Sequence, residues 1–176
     1  ESALLVAREV PLVRETARPA LRLAHSGRIR WMRDPRDWFE FRVPGSFELV
    51  EAATAFPSGD GAWIFEPNRG EGVWALFELA EQMVGFPFFT IEAPEGTVVE
   101  LMTQESHSED NPPWLDTHFH SWSRFVCREG ENRFESLDFE SLRFLQIHVR
   151  EAAGPVLIHD VGVRRRSYDW PRPPHF

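Results

Sequence analysis

The stretch that decides the fold is Arg143-Phe144-Leu145-Gln146-Ile147-His148-Val149-Arg150. From position 145 onward its odd positions are apolar and its even positions are polar, a period of two that is typical of a half-buried antiparallel strand. Similar short runs, separated by proline and glycine turns, recur along the second half of the chain at 85–91, 97–103, 124–128, 133–139 and 156–164. Strands at this spacing predict an all-β fold, an antiparallel β-sandwich of the jelly-roll type.

Turn signals between these runs predict which strands pair. Ala93-Pro94-Glu95-Gly96 places proline and glycine as a type I turn prefers, so it predicts a hairpin between the strands on either side of it. By the same reasoning we expect the runs at 124–128 and 133–139 to pair, and the run at 156–164 to pair with 143–150.

The first 60 residues have weaker patterns than the rest. Two prolines predict that residues 7–23 are extended, alternation predicts a strand at 38–43, and residues 47–55 fit either a strand or a short helix. The predicted organisation has three parts. Residues 1–60 form an extended N-terminal arm and first strands packed on the sandwich, 61–170 form the sandwich, and the proline-rich 171–176 form a linker toward a missing further domain.

Composition excludes several classes of partner. The chain has 176 residues and a formal net charge of −9, whereas binding to nucleic acid needs a basic surface. No apolar run approaches the roughly 20 residues of a membrane span, so we expect neither nucleic acid nor membrane as a partner.

The single cysteine, Cys127, is predicted to be a buried thiol. The chain begins at Glu1 without a signal-peptide pattern, and both ends suggest a piece of a longer protein.

Four phrases of the sequence carry a family resemblance: Phe77–Phe86, Glu92–Leu101, Leu142–Val149 and Gly154–Val156. Together they resemble the β-sandwich region that precedes the catalytic barrel in bacterial α-L-rhamnosidases of glycoside hydrolase family 78. The resemblance is best over residues 74–170, a little more than half of the chain.

The resemblance implies a role beside a catalytic domain. In that family a separate all-helical barrel downstream holds the carboxylates that act as general acid and general base, so no catalytic residue is assigned to this chain. The expected function is an accessory β-sandwich domain of an α-L-rhamnosidase-like glycoside hydrolase. Its expected partners are the helical barrel of the same polypeptide and rhamnose-containing glycans. The alternatives are a stand-alone calcium-dependent carbohydrate-binding module, a structural spacer without ligand and a metal-dependent jelly-roll enzyme.

A long polar loop at 105–122 is the candidate binding region, because long loops on a rigid sheet often hold binding sites. Tryptophan faces stack on sugar rings, and carboxylates and amides bond their hydroxyl groups. The candidate sugar-binding residues are Trp114, Trp122, Glu109, Asp110, Asn111 and Asp116. Calcium takes six to eight oxygen ligands, so Asp110, Asn111 and Asp116 are also candidate calcium ligands, and calcium is the one cofactor considered. The alternative is a solvated loop.

Two further motifs have open interpretations. His118-Phe119-His120 places two histidines on one strand face, like the start of a cupin metal site, but no glutamate follows until Glu129. Arg164-Arg165-Arg166 is a basic run that fits binding to an anion or a neighbouring domain, or a strand edge protected by charge against self-pairing.

Overall fold

The computed structural model describes residues 12–32, 47–52, 55–58, 61–107 and 122–168. All the regular elements in these ranges are β-strands, and all of their pairings are antiparallel. The strands are β1 (Val13–Pro19), β2 (Arg22–Trp31), β3 (Phe47–Ala52), β4 (Ala55–Pro57), β5 (Trp63–Phe65), β6 (Gly72–Ala93), β7 (Val98–Gln104), β8 (Trp122–Val126), β9 (Gly130–Glu135), β10 (Glu140–Arg150) and β11 (Val156–Tyr168). A helix long and apolar enough to span a bilayer is absent from these ranges.

The strands belong to one hydrogen-bonded sheet whose main path is β4-β5-β11-β6-β10-β7-β8. Strand β6, 22 residues long, is its central member. The first part of β6 lies between β2 and β10, and its last part lies between β11 and β9. Gly85 lies where β10 and β11 meet on β6. A Cβ there would approach the Arg164 carbonyl oxygen to 2.3 Å, so only glycine fits.

The all-β, antiparallel fold predicted from the sequence is confirmed. The sandwich itself is not confirmed, because hydrogen bonds join the strands into a single curled sheet with the shape of a half-barrel. Residues 13–19 are extended, as predicted, and lie along β11. Residues 47–52 form a strand, and the strand predicted at 38–43 lies outside the described residues. The division of the chain at residues 60 and 170 stays a prediction.

The predicted strand pairs are wrong, although the strands exist. The turn at Pro94–Thr97 forms, with the Thr97 N–H donating to the Pro94 carbonyl, but β7 pairs with β10 and β8 instead of with β6. Strand β8 pairs with β7, and β9 pairs with β6. Strand β11 pairs with β6, β5 and β1. The reason is that β11 and β9 occupy the two edges of β6 next to this turn, which excludes the sequence neighbour β7 from β6.

The main core lies on one face of this sheet. Alternate residues of the central strands meet there, among them Phe77, Leu101, Leu145, Ile147 and Ile158. Cys127 is 3% exposed in the same cluster, which confirms the predicted buried thiol, and burial raises its pKa to about 11. The apolar residues of each alternating run therefore point into this core.

The opposite face of the sheet is also buried along β6 and β10. Residues 72–79 of β6 are buried without interruption, and Ile29, Trp74 and Leu76 form a second apolar cluster. The residues of β10 from position 145 to 150 are all buried, so the predicted half-buried strand is buried on both faces. Its polar residues, including Gln146 and His148, are therefore interior groups.

Candidate functional site

A groove with a volume of about 330 Å³ opens on this second face, where β2, β6 and β10 lie side by side. The register brings its floor together, since Arg22 of β2 and Phe144 of β10 both lie opposite Glu78 of β6. Clefts that bind small molecules commonly measure roughly 300–1,000 Å³, so the groove is large enough for one small ligand. The groove is lined by Arg22, Ala24, His25, Leu76, Glu78, Glu105, Ser106, His107, Arg143 and Phe144.

A carboxylate held by two arginines forms the centre of the groove. Arg22 donates from Nε and Nη2 to Oε2 of Glu78 at 2.9 and 2.6 Å, and Arg143 donates from Nη2 to Oε1 at 2.8 Å. Burial by itself would raise the pKa of Glu78, but the hydrogen bonds and charges of Arg22 and Arg143 outweigh it and lower the pKa. Glu78 is therefore an ionised anchor that fixes the orientation of both guanidinium groups.

An aromatic and imidazole wall lies beside this anchor. The ring of His107 meets the ring of Phe144 edge-on at 5.7 Å, and Cζ of Arg143 lies 5.7 Å from the centre of the Phe144 ring. Desolvation, and then the charge of His25, lowers the pKa of His107, so a neutral imidazole is favoured at this wall. Glu105, at the start of the predicted binding loop, is exposed at the rim.

This arrangement is suited to binding. The guanidinium N–H groups that do not contact Glu78 can donate to hydroxyl or carboxylate oxygens, and a half-buried phenyl ring offers an apolar surface. Glu78 cannot act as a proton donor near neutral pH, because two arginines hold it ionised. Among the described residues that line the groove, Glu105 is the only other carboxylate. The described part of the groove therefore lacks a second buried carboxylic acid of the kind that glycoside hydrolysis uses.

A second polar cluster on the same face is largely buried, with Arg124 exposed at its edge. Oε1 of Glu100 lies 3.4 Å from Nε and Nη2 of Arg150 and 3.2 Å from Nε of Arg124. Burial outweighs the attraction of both arginines and raises the pKa of Glu100 to about 7. His148, fully buried and 2.6 Å from Nε2 of Gln146, has its pKa lowered to about 3 by desolvation. The burial of this cluster indicates a structural role.

The residues predicted to bind sugar or calcium lie largely outside the described part of the chain. These are Glu109, Asp110, Asn111, Trp114 and Asp116, and His118 and His120 lie outside it as well. Only the backbone of Trp122 is described, opposite Met102 at the start of β8. The sugar and calcium assignments of these residues stay predictions. The described residues at the start of this loop, Glu105, Ser106 and His107, line the groove.

The basic run at 164–166 is ion-paired within the domain. Arg164 donates twice to Glu135 at 2.8 Å, Arg165 lies 3.3 Å from Glu81, and Arg166 lies 3.1 Å from Glu15. Since β1 pairs with this end of β11, the run does not form a bare strand edge there.

Sequence reasoning missed the groove. Its residues are far apart in the chain, and none of them was a predicted site residue. One signal was available, because Glu78 is the only charged residue in the apolar run at 73–79. A carboxylate at such a position is buried and needs a partner, which indicates a functional or structural centre.

Comparison with known proteins gives a likeness of fold. No protein-family model matches the sequence, and no curated protein matches it. Among solved structures, a GH78 family rhamnosidase of Bacillus sp. GL1 matches 72% of this chain at a TM-score of 0.57 and 20% identity. A rhamnosidase from Klebsiella oxytoca with rhamnose bound matches 89% of it at a TM-score of 0.51 and 13% identity.

The chain has a GH78-like β-fold. The match covers 15% of the Bacillus chain and 30% of the Klebsiella chain, so this chain spans less than a third of either rhamnosidase. At identities this low, the likeness shows a shared fold only. It does not transfer the activity of either rhamnosidase to this chain.

Proposed function

We propose that this chain is an accessory β-domain of an α-L-rhamnosidase-like glycoside hydrolase, and that it binds sugar in the groove around Glu78. The observation that carries the proposal is the pair of fold matches, which cover most of this chain and a minor part of two rhamnosidases. A domain of this kind positions a catalytic barrel and holds part of the glycan beside it.

The groove supports the sugar-binding half of the proposal. Arg22 and Arg143 present oriented N–H donors around a fixed carboxylate, and Phe144 provides an apolar surface between them and His107. Pyranose rings combine hydroxyl groups with an apolar face, which is the same combination of chemistry. The groove also borders the loop in which Trp114 and Asp110 are predicted to bind sugar.

An exposed apolar patch supports the positioning half. Leu137 is 95% exposed, Phe139 62% and Val84 44%, and the ring of Phe139 meets the ring of Phe86 edge-on at 6.3 Å. Phe139 and Val84 are neighbours, because Phe139 contacts Phe86, two residues from Val84 on β6, and Leu137 is two residues from Phe139 in the chain. Adjacent exposed apolar side chains are typical of surfaces that contact another protein or domain. This patch also favours the second candidate function, a structural spacer that binds no sugar.

Calorimetric titration with L-rhamnose and with a rhamnosyl disaccharide tests the proposal. We expect saturable binding in the millimolar range, weakened at least tenfold in Arg143→Ala and in Phe144→Ala. Arg128→Ala is the matched control, since Arg128 is an exposed arginine outside the groove. Its affinity should equal that of the wild type.

The opposite result has a clear meaning. If no sugar binds up to tens of millimolar, the sugar-binding half is wrong and the spacer remains. In that case Leu137→Ser combined with Phe139→Ser should weaken association with a rhamnosidase barrel supplied as a separate chain.

A further inference from the structure

We propose that Glu92, Glu131 and His159 form a site for a divalent first-row transition metal of the zinc class. The three residues lie away from the groove, where β9, β6 and β11 are adjacent. Glu131 lies directly opposite Glu92. His159 lies opposite Thr90, the next residue of β6 on the same face, so its side chain is diagonal to Glu92. The proposal is independent of the sugar groove.

The donor atoms are already close to one another. One carboxylate oxygen from each glutamate and one ring nitrogen of His159 lie within 4.8 Å of one another. Zinc bonds to nitrogen and carboxylate oxygen measure about 2.0–2.2 Å, so ligand atoms around one ion lie at most about 4.4 Å apart. Both glutamates are exposed and can rotate, so a small adjustment of their side chains completes the geometry.

The local charges favour a cation. Two carboxylates directly opposite each other on neighbouring strands repel, and this arrangement destabilises a sheet unless a positive charge is present. Arg133 donates from Nε to Oε1 of Glu131 at 3.0 Å, which engages one of the four carboxylate oxygens. The second oxygen of Glu131 and both oxygens of Glu92 can still face a metal ion.

His159 has the surroundings of a metal-binding imidazole. Its Nδ1 lies 3.3 Å from Oδ2 of Asp160, a contact that favours a proton on Nδ1 and a free lone pair on Nε2. A carboxylate behind the far nitrogen of a ligating histidine is a common outer-shell partner, because it fixes the tautomer and raises the basicity of the ligand. The imidazole also determines the class of metal, since calcium and magnesium select oxygen ligands, whereas zinc and its neighbours accept nitrogen.

A metal bound here would fasten β9 to the sheet. In the described part of the structure, β9 pairs with β6 alone. A metal shared by the three strands would therefore hold the outer strand and raise the stability of the folded state, by an amount that grows with the logarithm of the metal affinity.

The test uses the full 176-residue chain stripped with EDTA and titrated with zinc chloride by calorimetry. We expect saturable binding whose stoichiometry falls by one ion per chain in His159→Ala and in the double variant Glu92→Gln/Glu131→Gln. Asp160→Asn should weaken this site about tenfold. Glu66→Gln removes an exposed carboxylate outside both the groove and this site and should leave zinc binding unchanged. Cobalt titration should show visible absorption bands of a nitrogen-containing site that are lost in His159→Ala.

Three results would overturn the proposal. One is a zinc stoichiometry that is unchanged in His159→Ala. Another is loss of all zinc binding in the double variant His118→Ala/His120→Ala, which would assign the ion to that motif. The third is tighter binding of calcium than of zinc. The variants change exposed or half-exposed side chains, so circular dichroism without metal should match the wild type.

Discussion

Two carboxylates on the same face of the sheet have opposite electrostatic behaviour. Glu78 and Glu100 each lie between two arginines, but the pKa of Glu78 is lowered and the pKa of Glu100 is raised to about 7. The arginines around Glu78 are 60% and 46% exposed at their side chains, whereas Arg150 and Arg124 beside Glu100 are 6% and 30% exposed. The number of arginines is the same, so solvent access and hydrogen-bond geometry make the difference.

The comparison separates a binding region from a structural one. At the groove, water and short hydrogen bonds stabilise the charges, and the guanidinium groups remain accessible to a ligand. At Glu100 the contacts with Arg150 are long, at 3.4 Å, and the desolvation of a buried charge outweighs them. The four predictions below test this contrast, in order from the largest expected effect to the smallest.

The largest effect should come from removing Arg150. Arg150→Met leaves Glu100 buried with less compensating charge, so we expect the free energy of unfolding to fall by about 3–5 kcal/mol. The matched change at the groove, Arg143→Met, should cost about 1 kcal/mol or less, because Arg143 is half exposed. Urea unfolding of both variants measures the difference. Equal losses of unfolding free energy in the two variants would show that burial does not make Arg150 more important for stability than Arg143.

Glu100 should also give stability a distinctive pH dependence. A carboxyl whose pKa is raised from 4.5 to about 7 on folding binds a proton in the native state that the unfolded state has released. Its contribution to stability therefore falls as the pH rises from 4.5 to 7. His148, with its pKa lowered from 6.5 to about 3, has the opposite effect between those two values, so the two contributions oppose each other from pH 4.5 to 6.5.

The difference in stability between Glu100→Gln and the wild type isolates the carboxyl. This difference should move in favour of the variant by as much as about 1.4 kcal/mol per pH unit between pH 4.5 and 7. Urea unfolding at half-unit pH intervals provides the measurement. A difference that is flat over this range and changes only below pH 4.5 would mean that Glu100 is ionised in the folded protein.

Glu78 should show the reverse dependence with a smaller amplitude. Its pKa is lowered on folding, so its contribution is fully present above the unfolded value and is lost as the pH falls through the folded value. At pH 7 we expect Glu78→Gln to lower the free energy of unfolding by about 1.5 kcal/mol, a typical value for hydrogen bonds to a charged group. As the pH falls below the unfolded value of 4.5 and through the lowered folded pKa, the variant and the wild type should converge. If the gap widens in acid instead, the ionised anchor in the groove is contradicted.

The smallest effect on stability is expected at the groove rim. Glu105 is exposed, so Glu105→Gln should change the free energy of unfolding by no more than about 0.5 kcal/mol. If the groove binds sugar, the same substitution should still alter the affinity for rhamnose, which calorimetry detects. A larger change in stability would place Glu105 in the folded core of the site.

The sequence allowed the class of fold to be predicted but not its order of strands. Alternation of apolar residues identified β10, because burial of one face leaves a period of two, and the proline-glycine turn at 93–96 marked the start of β7. The pairing of β7 with β10 depends on which strands occupy the edges of β6, and local turn chemistry carries no information about that. The burial of Gln146 and His148 was missed for a similar reason, since the cover of a second face is a tertiary property.

The groove illustrates the same limit. Arg22, Glu78 and Arg143 are separated by 56 and 65 positions, and only the register of β2 and β10 on β6 brings them together. Glu92, Glu131 and His159 likewise belong to three strands. A pattern within one segment cannot reveal sites that are assembled from distant strands. The family resemblance did suggest the GH78-like fold, but it did not identify these residues.

The position of β6 has a consequence for how the chain acquires its structure during synthesis. Two of the strands that flank it, β10 (Glu140–Arg150) and β11 (Val156–Tyr168), are made well after β6 ends at Ala93, and together they cover most of its length. Before β10 and β11 are made, β6 has partners only near its two ends, β2 at residues 72–78 and β9 at residues 88–93. Such non-local pairing folds slowly and leaves strand edges open to other chains. A nascent chain of this protein should therefore depend on chaperones, and a short deletion within β11 should cause aggregation rather than a local defect.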